Sequence, residues 1–209
     1  MIKFYILLFV TFFSSISSAQ VNKTLEQFYQ STQSLQAGFD QTIRNTRGKI
    51  IEKSIGSLIL SRPDKFILEY TEPAEQKYIS NGKTIWIYDV ELEQVNIKNI
   101  DEGIGDSPAL LLSSNANIYN HYVVSDVKVA HSDGLDWVQL LAREPEMTFE
   151  KVLLAFKGKV LMQMTMHDSF GQITDLKFSK IQVNKTFANR KFNFVPPDDV
   201  DVIGSARAQ

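Results

Sequence analysis

Three histidines, His121, His131 and His167, are the side chains best suited to proton transfer or metal ligation, and they lie in three separate segments. None has the HExxH or HxH spacing that brings two imidazoles onto one metal, so packing or solvated roles are expected for all three. His167-Asp168-Ser169 contains the residue types of a hydrolase triad. Adjacent side chains in an extended strand point to opposite faces, however, so these three cannot converge. The carboxylate pairs Glu144/Glu146 and Asp198/Asp199 could do acid–base work, but both stand beside prolines, where solvated turn charges are expected. The sequence has no cysteine, no GxSxG and no phosphate-binding glycine loop. That excludes disulfides, thiolate metal sites and cysteine nucleophiles. No catalytic constellation emerges, and neither a metal nor a cofactor is expected.

The functional signal is apolar. Between Gly56 and Val95, three strand-like runs stand between turn residues. Leu58, Ile59 and Leu60 make an apolar stretch in the first. Phe66, Leu68 and Tyr70 alternate with Lys65 and Glu69 in the second. Period-two alternation marks a sheet with one apolar face. The third run, Ile85-Trp86-Ile87-Tyr88, is apolar on both faces. Its parity therefore leaves open whether Trp86 and Tyr88, or Ile85 and Ile87, join that face.

The N-terminus reads as an export signal. Lys3 supplies a positive start, Phe4 to Phe13 an apolar core, and Ser17-Ser18-Ala19 the small residues of a cleavage site after Ala19. Ser14 and Ser15 break the apolar run well short of the roughly 20 residues a membrane span needs. Residues 1–19 are thus expected to be a signal peptide and 20–209 a single exported domain. With 22 basic and 24 acidic residues and a formal charge of −2, the chain carries no nucleic-acid footprint.

The elements that must shape the apolar face follow from spacing. Leu25, Phe28, Thr32, Leu35 and Phe39 recur at three-to-four intervals and predict a helix over Thr24–Phe39, with Thr24 and Gln27 forming a capping box. Strands are expected at 50–60, 65–71, 76–80, 84–90 and 94–98, with Asn81-Gly82 as a hairpin turn. Ser107 as N-cap and Pro108 at the first position open a short helix ending near Ser114, apolar on every side through Leu110, Leu111 and Leu112. Strands resume at 122–129, 137–141, 148–156, 160–167, 173–181 and 191–195, where Pro196-Pro197 ends the last. About ten to eleven antiparallel strands with two or three helical pieces predict a mainly β (α+β) fold. The economical form is an unclosed barrel with helices laid over its hollow.

Several motifs in fixed order then become specific. They are Phe39-x-Gln41, Gly56-x-Leu58, Arg62-Pro63 with Phe66, Asn81-Gly82-Lys83-Thr84-Ile85-Trp86, Ser107-Pro108-Ala109-Leu110-Leu111-Leu112, and Phe192-x-Phe194-x-Pro196-Pro197. Together they resemble the periplasmic outer-membrane lipoprotein carrier family, LolA, over essentially the whole mature chain. The resemblance implies an unclosed, twisted antiparallel barrel with a helical lid over an apolar cavity. It implies a monomeric periplasmic chaperone that accepts triacylated lipoproteins from the inner-membrane ABC transporter LolCDE and delivers them to the outer-membrane receptor LolB. It assigns the acyl-chain cavity to Leu58, Leu60, Phe66, Leu68, Tyr70, Trp86 and Tyr88. It also makes Pro108, Leu110 and Leu111 the lid, with Arg62 the lock donating hydrogen bonds to lid carbonyls. Alternatives of the same fold are a lipid or glycolipid carrier and a lipoprotein-sensing regulatory module. The second normally carries an additional C-terminal domain, which a chain ending soon after Val202 is expected to lack.

Overall fold

The computed structural model describes residues 22–100, 107–114, 118–128, 134–145 and 147–205. The expected signal segment, Asp106, His131 and Glu146 lie outside them. Helix α1 (Lys23–Ser31) leads into β1 (Ser34–Arg44) and β2 (Ile50–Ser61). A meander follows through β3 (Lys65–Glu72), β4 (Gln76–Asn81), β5 (Thr84–Asp89) and β6 (Gln94–Asn99). After the short helices α2 (Pro108–Ser113) and α3 (Ile118–His121) come β7 (Tyr122–Val127), β8 (Asp136–Ala142), β9 (Phe149–Lys157), β10 (Val160–Asp168) and β11 (Ile173–Val183). A 3₁₀ turn (Asn189–Phe192) and β12 (Asp201–Ile203) finish the chain.

The twelve strands of the described residues form one sheet in the order β12-β6-β5-β4-β3-β2-β1-β11-β10-β9-β8-β7. The edge strands β12 and β7 do not pair, so the barrel is unclosed. Its curl is evident from the core. Leu60 and Phe66 from one half of the sheet belong to the same buried cluster as Val138, Leu140 and Val152 from the other half. The helices occupy the space between. Phe28 of α1 meets Phe156 of β9 with ring centroids 5.4 Å apart, and α2 packs on β2 and β3.

Three expectations are corrected. The first helix stops at Ser31, and Leu35 and Phe39 are strand residues of β1. A spacing of four is even, so it places two residues on one face of a strand as readily as on one face of a helix. Pairing of β1 with both β2 and β11 decides between them. The cap is Asn22, whose side chain accepts from the Leu25 amide and donates to Asp126 of β7 at 2.7 Å. Thr24 does not form it. The segment expected as a last strand at 191–195 is the end of the 3₁₀ turn followed by extended chain. The last strand is β12, which pairs with β6 in parallel rather than antiparallel.

Gly56 shows how tightly the concave face is packed. A Cβ there would stand 2.5 Å from the Phe39 ring and collide with the Glu69 carbonyl. The Phe39 ring lies edge-on to Tyr70 at 5.3 Å, filling the space the glycine leaves. Gly56→Ala is therefore expected to lower stability by about 1–3 kcal/mol through overpacking. A denaturant titration checks this, and a midpoint equal to the parent's would show that the ring is free to move.

Candidate functional site

Strand register fixes which residues share the concave face. Across β2, β3, β4 and β5, Leu60 aligns with Phe66, Ser80 and Ile85, and Leu58 aligns with Leu68, Tyr78 and Ile87. Leu58, Leu60, Phe66 and Leu68 are each almost completely buried, and Ile85 joins the same cluster with Tyr78 and Ile87 packed against it. Tyr70 lies on this face too, its hydroxyl donating to Gln41 at 3.1 Å. Burial raises the Tyr70 phenol above its ordinary range, with Tyr78 and Glu52 acting in the same direction.

Trp86 and Tyr88 are on the other face, which resolves the parity left open by the sequence. They align with Ile79 and Lys77 and pack against Phe194 at 6.4 and 5.7 Å. Val95, Ile79 and Phe192 are buried outside the concave cluster. The C-terminal segment thus covers a second, smaller apolar layer on the convex side. Trp86 and Tyr88 are therefore withdrawn from the candidate cavity, and Ile85, Ile87 and Tyr78 take their place.

The hollow is filled from one end by α1 and α2. Leu25, Phe28 and Tyr29 project from α1, and Ala109, Leu110, Leu111 and Leu112 are all buried in α2. Pro108 occupies the first turn of α2, and Ser107 caps it by accepting from the Ala109 amide at 3.2 Å. At the opposite strand ends the hollow opens as a cleft of about 430 Å³. Tyr70, Tyr78, Phe149, Met166 and Pro108 form part of its lining, and Glu52, Glu72 and Asp89 border it. Its volume falls within the range of small-ligand sites.

Arg62 points into the hollow from the end of β2, but not as the sequence-level resemblance implied. Among the described residues no group accepts a hydrogen bond from its three guanidinium nitrogens. The guanidinium carbon instead lies over the Phe28 ring at 4.8 Å and the Tyr29 ring at 4.7 Å. Burial pushes its pKa down to about 10, partly opposed by Tyr29 and Asp64. Among the described residues, the bonds from outside α2 that reach its carbonyls come from elsewhere. The Tyr29 hydroxyl donates to the Leu111 carbonyl at 3.1 Å, and the Asp64 amide donates to the Ser113 carbonyl at 3.3 Å. Phe28 and Tyr29 were visible in sequence only as part of an amphipathic helix, with nothing to mark them as partners of Arg62.

Asp168 accepts the Phe170 and Gln172 amides through Oδ1 in the β10–β11 turn. His167 is held below the usual imidazole range by burial first and then by Lys151. Among the described residues no group of His, Asp and Glu could hold a metal ion, and no helix is long and apolar enough to cross a membrane.

A curled open sheet with an apolar concave face, plugged by two helices and open at one end, defines the class of apolar-ligand containers. The chain belongs to the LolA family: the model for outer membrane lipoprotein carrier protein LolA matches residues 30–195. It is 36% identical over 182 residues to an outer-membrane lipoprotein carrier protein of Methylobacillus flagellatus, covering 87% of this chain and 88% of that one. A carrier protein of Nitrosospira multiformis is 35% identical over 202 residues, with 96% and 97% covered. An uncharacterized conserved protein of Thermus thermophilus shares the fold with a TM-score of 0.56 at 13% identity, covering 87% of this chain and 96% of that chain. The family is one of carriers rather than enzymes.

The stacking of Arg62 sets up a stability test. Arg62→Met keeps an unbranched apolar stem, shorter than the arginine, and removes a buried charge that has no acceptor among the described residues. Replacing buried charge by apolar volume is commonly neutral or stabilising, so the variant is expected to unfold within about 1 kcal/mol of the parent. A loss of about 3 kcal/mol or more in a denaturant titration would mean the guanidinium makes strong hydrogen bonds in solution.

Proposed function

We propose that this chain is a periplasmic carrier that takes up mature triacylated lipoproteins released from the inner membrane and hands them to a receptor at the outer membrane. The donor is the ABC transporter LolCDE and the acceptor is LolB. The chain acts as a monomer after removal of residues 1–19 behind Ala19. The observation that carries this reading is the plugged apolar face. Leu58, Leu60, Phe66, Leu68 and Tyr70, with Tyr78, Ile85 and Ile87, would contact acyl chains once α2 moves aside.

The energetics suit the task. Each acyl chain of about 16 carbons gains on the order of 12 kcal/mol from leaving water, at about 0.8 kcal/mol per methylene. Unaided transit across water is therefore blocked. A carrier without nucleotide must also release its cargo, so its empty state has to be nearly as favourable as the filled one. Burying a leucine contributes roughly 1.5–3 kcal/mol, and Leu110, Leu111 and Leu112 together replace a large part of one acyl chain. Closing α2 over the empty hollow returns much of what the departing lipid gives up.

The absence of native cysteine makes the contact surface directly testable. Single variants Ile87→Cys, Tyr78→Cys and Tyr88→Cys are labelled with a water-soluble maleimide, with and without a synthetic triacylated lipopeptide. Protection by lipopeptide is expected at 87 and 78, on the concave face, and none is expected at 88. Equal protection at all three positions, or at none, contradicts the site. In a transfer assay with purified components, the parent should remove lipoprotein from inner-membrane vesicles and pass it to LolB. Chain isolated from periplasm with free lipid and no lipoprotein would instead favour a lipid or glycolipid carrier.

A further inference from the structure

Followed along its strands, the concave face changes character in one direction. On β2 it runs from Leu60 and Leu58 to Ser54 and Glu52, and on β5 from Ile85 and Ile87 to Asp89. On β3 it passes from Phe66 and Leu68 to Tyr70, and on β1 from Leu35, Ala37 and Phe39 to Gln41. A surface that is apolar at depth and acidic at its mouth matches an amphiphile with a cationic end. We propose that the cleft at this mouth is a second subsite, which receives a basic side chain of the cargo polypeptide just beyond its acylated residue. The inference rests on the carrier reading and concerns the part of the cargo outside its acyl chains.

Glu52, Glu72 and Asp89 border the cleft of about 430 Å³, and no lysine, arginine or histidine is among its described lining residues. Arg44 and Lys77 follow the lining residues Ile43 and Gln76 in sequence, but they form ion pairs elsewhere, with Asp175 and with Glu69 and Glu75. Glu52 accepts from the Ser54 hydroxyl and Asp89 from the Leu92 amide. Those neutral donors hold the two carboxylates in place and leave their charge uncompensated.

Carboxylates alone would be a solvated rim, and Gln41 is the second observation. It is only 6% exposed, lines the cleft, and accepts the Tyr70 hydroxyl through Oε1 at 3.1 Å. Among the described residues its Nε2 has no partner. An unused donor on a residue this buried is costly unless a ligand supplies the acceptor. Beside it the Tyr70 and Tyr78 rings stand edge to face at 6.2 Å. The Tyr78 phenol is held above its ordinary range by burial first, then by Asp89 and Glu52, so the field of both carboxylates reaches that ring. The subsite thus offers an amide donor for a peptide or ester carbonyl, two rings for an aliphatic stem, and carboxylates for the cation at its end.

The test uses three synthetic triacylated lipopeptides with identical acyl chains, in which the acylated cysteine and one serine are followed by Lys-Lys, Ser-Ser or Glu-Glu. Each is titrated against the full mature chain at low salt. The lysine peptide is expected to bind about tenfold more tightly than the serine peptide, and the glutamate peptide more weakly by a similar factor. The order should collapse in salt of about 1 M, where the screening length is about 3 Å. Glu52→Gln, Glu72→Gln and Asp89→Asn combined keep the acceptors for Ser54 and Leu92 and should bind the three peptides alike, with a denaturant titration checking the fold. Should that variant not fold, Glu52→Gln and Asp89→Asn singly should each lower the lysine-to-glutamate ratio. Gln41→Met should weaken all three peptides together, by about threefold to tenfold. Equal affinities of the three peptides for the parent overturn the subsite, as does an order that survives the carboxylate variants. Parent-like affinities in Gln41→Met overturn the part given to Gln41. If the parent binds none of the three, the carrier reading itself fails and the subsite falls with it.

Discussion

An open apolar sheet surface cannot be left to water, and the rest of this structure is arranged around that constraint. Hydrophobic burial is the dominant favourable contribution to folding, and the concave face collects it from nearly every strand. Because β12 and β7 do not meet, the sheet cannot close on itself and exclude water unaided. Helices α1 and α2 supply the missing wall. Their side chains reach across to both halves of the sheet, as the Phe28–Phe156 contact shows.

In the proposed carrier cycle the same arrangement makes the filling removable. A core built only from one continuous sheet would have no part that could leave without unfolding. Here α2 is six residues long and is tied to its surroundings by few polar contacts. It is too short to be stable as an isolated helix, so its helicity depends on the hollow it fills. Arg62 adds a further element. A buried guanidinium without acceptors is costly, and the rings of Phe28 and Tyr29 offset only part of that cost. The packing of α2 is therefore stabilised by apolar contact and opposed by an imperfectly satisfied charge, which suits the proposed alternation between empty and filled.

Much of this was legible in the residues, and the failures have identifiable causes. The alternation through Phe66, Leu68 and Tyr70 identified the concave face because three large apolar residues share it, while Lys65 and Glu69 stand on the other face. Ser107-Pro108 marked the start of α2 because a cap and a first-turn proline have no better use elsewhere. Leu35 and Phe39 misled because their spacing satisfies helix and strand alike. The segment at Trp86 and Tyr88 was ambiguous because both of its faces are buried, one by the helices and one by Phe194. That second layer depends on where residues 191–195 return, and an extended Phe-x-Phe pattern does not distinguish a paired strand from a strap lying across one. The stacking of Arg62 was not legible either, since it requires two consecutive aromatic residues from a helix more than thirty positions away.

The central claim is that α2 stands in for lipid and is displaced by it. Spin labels on cysteines introduced at Ser114, just beyond α2, and at Lys77, on the convex face of β4, allow the separation to be measured by pulsed electron resonance. Addition of a triacylated lipopeptide should lengthen that distance by on the order of a helix diameter, about 10 Å, with a single closed population in its absence. Stoichiometric lipopeptide binding with no change in the distance would contradict the account, because the acyl chains would then be held somewhere other than the hollow that α2 fills.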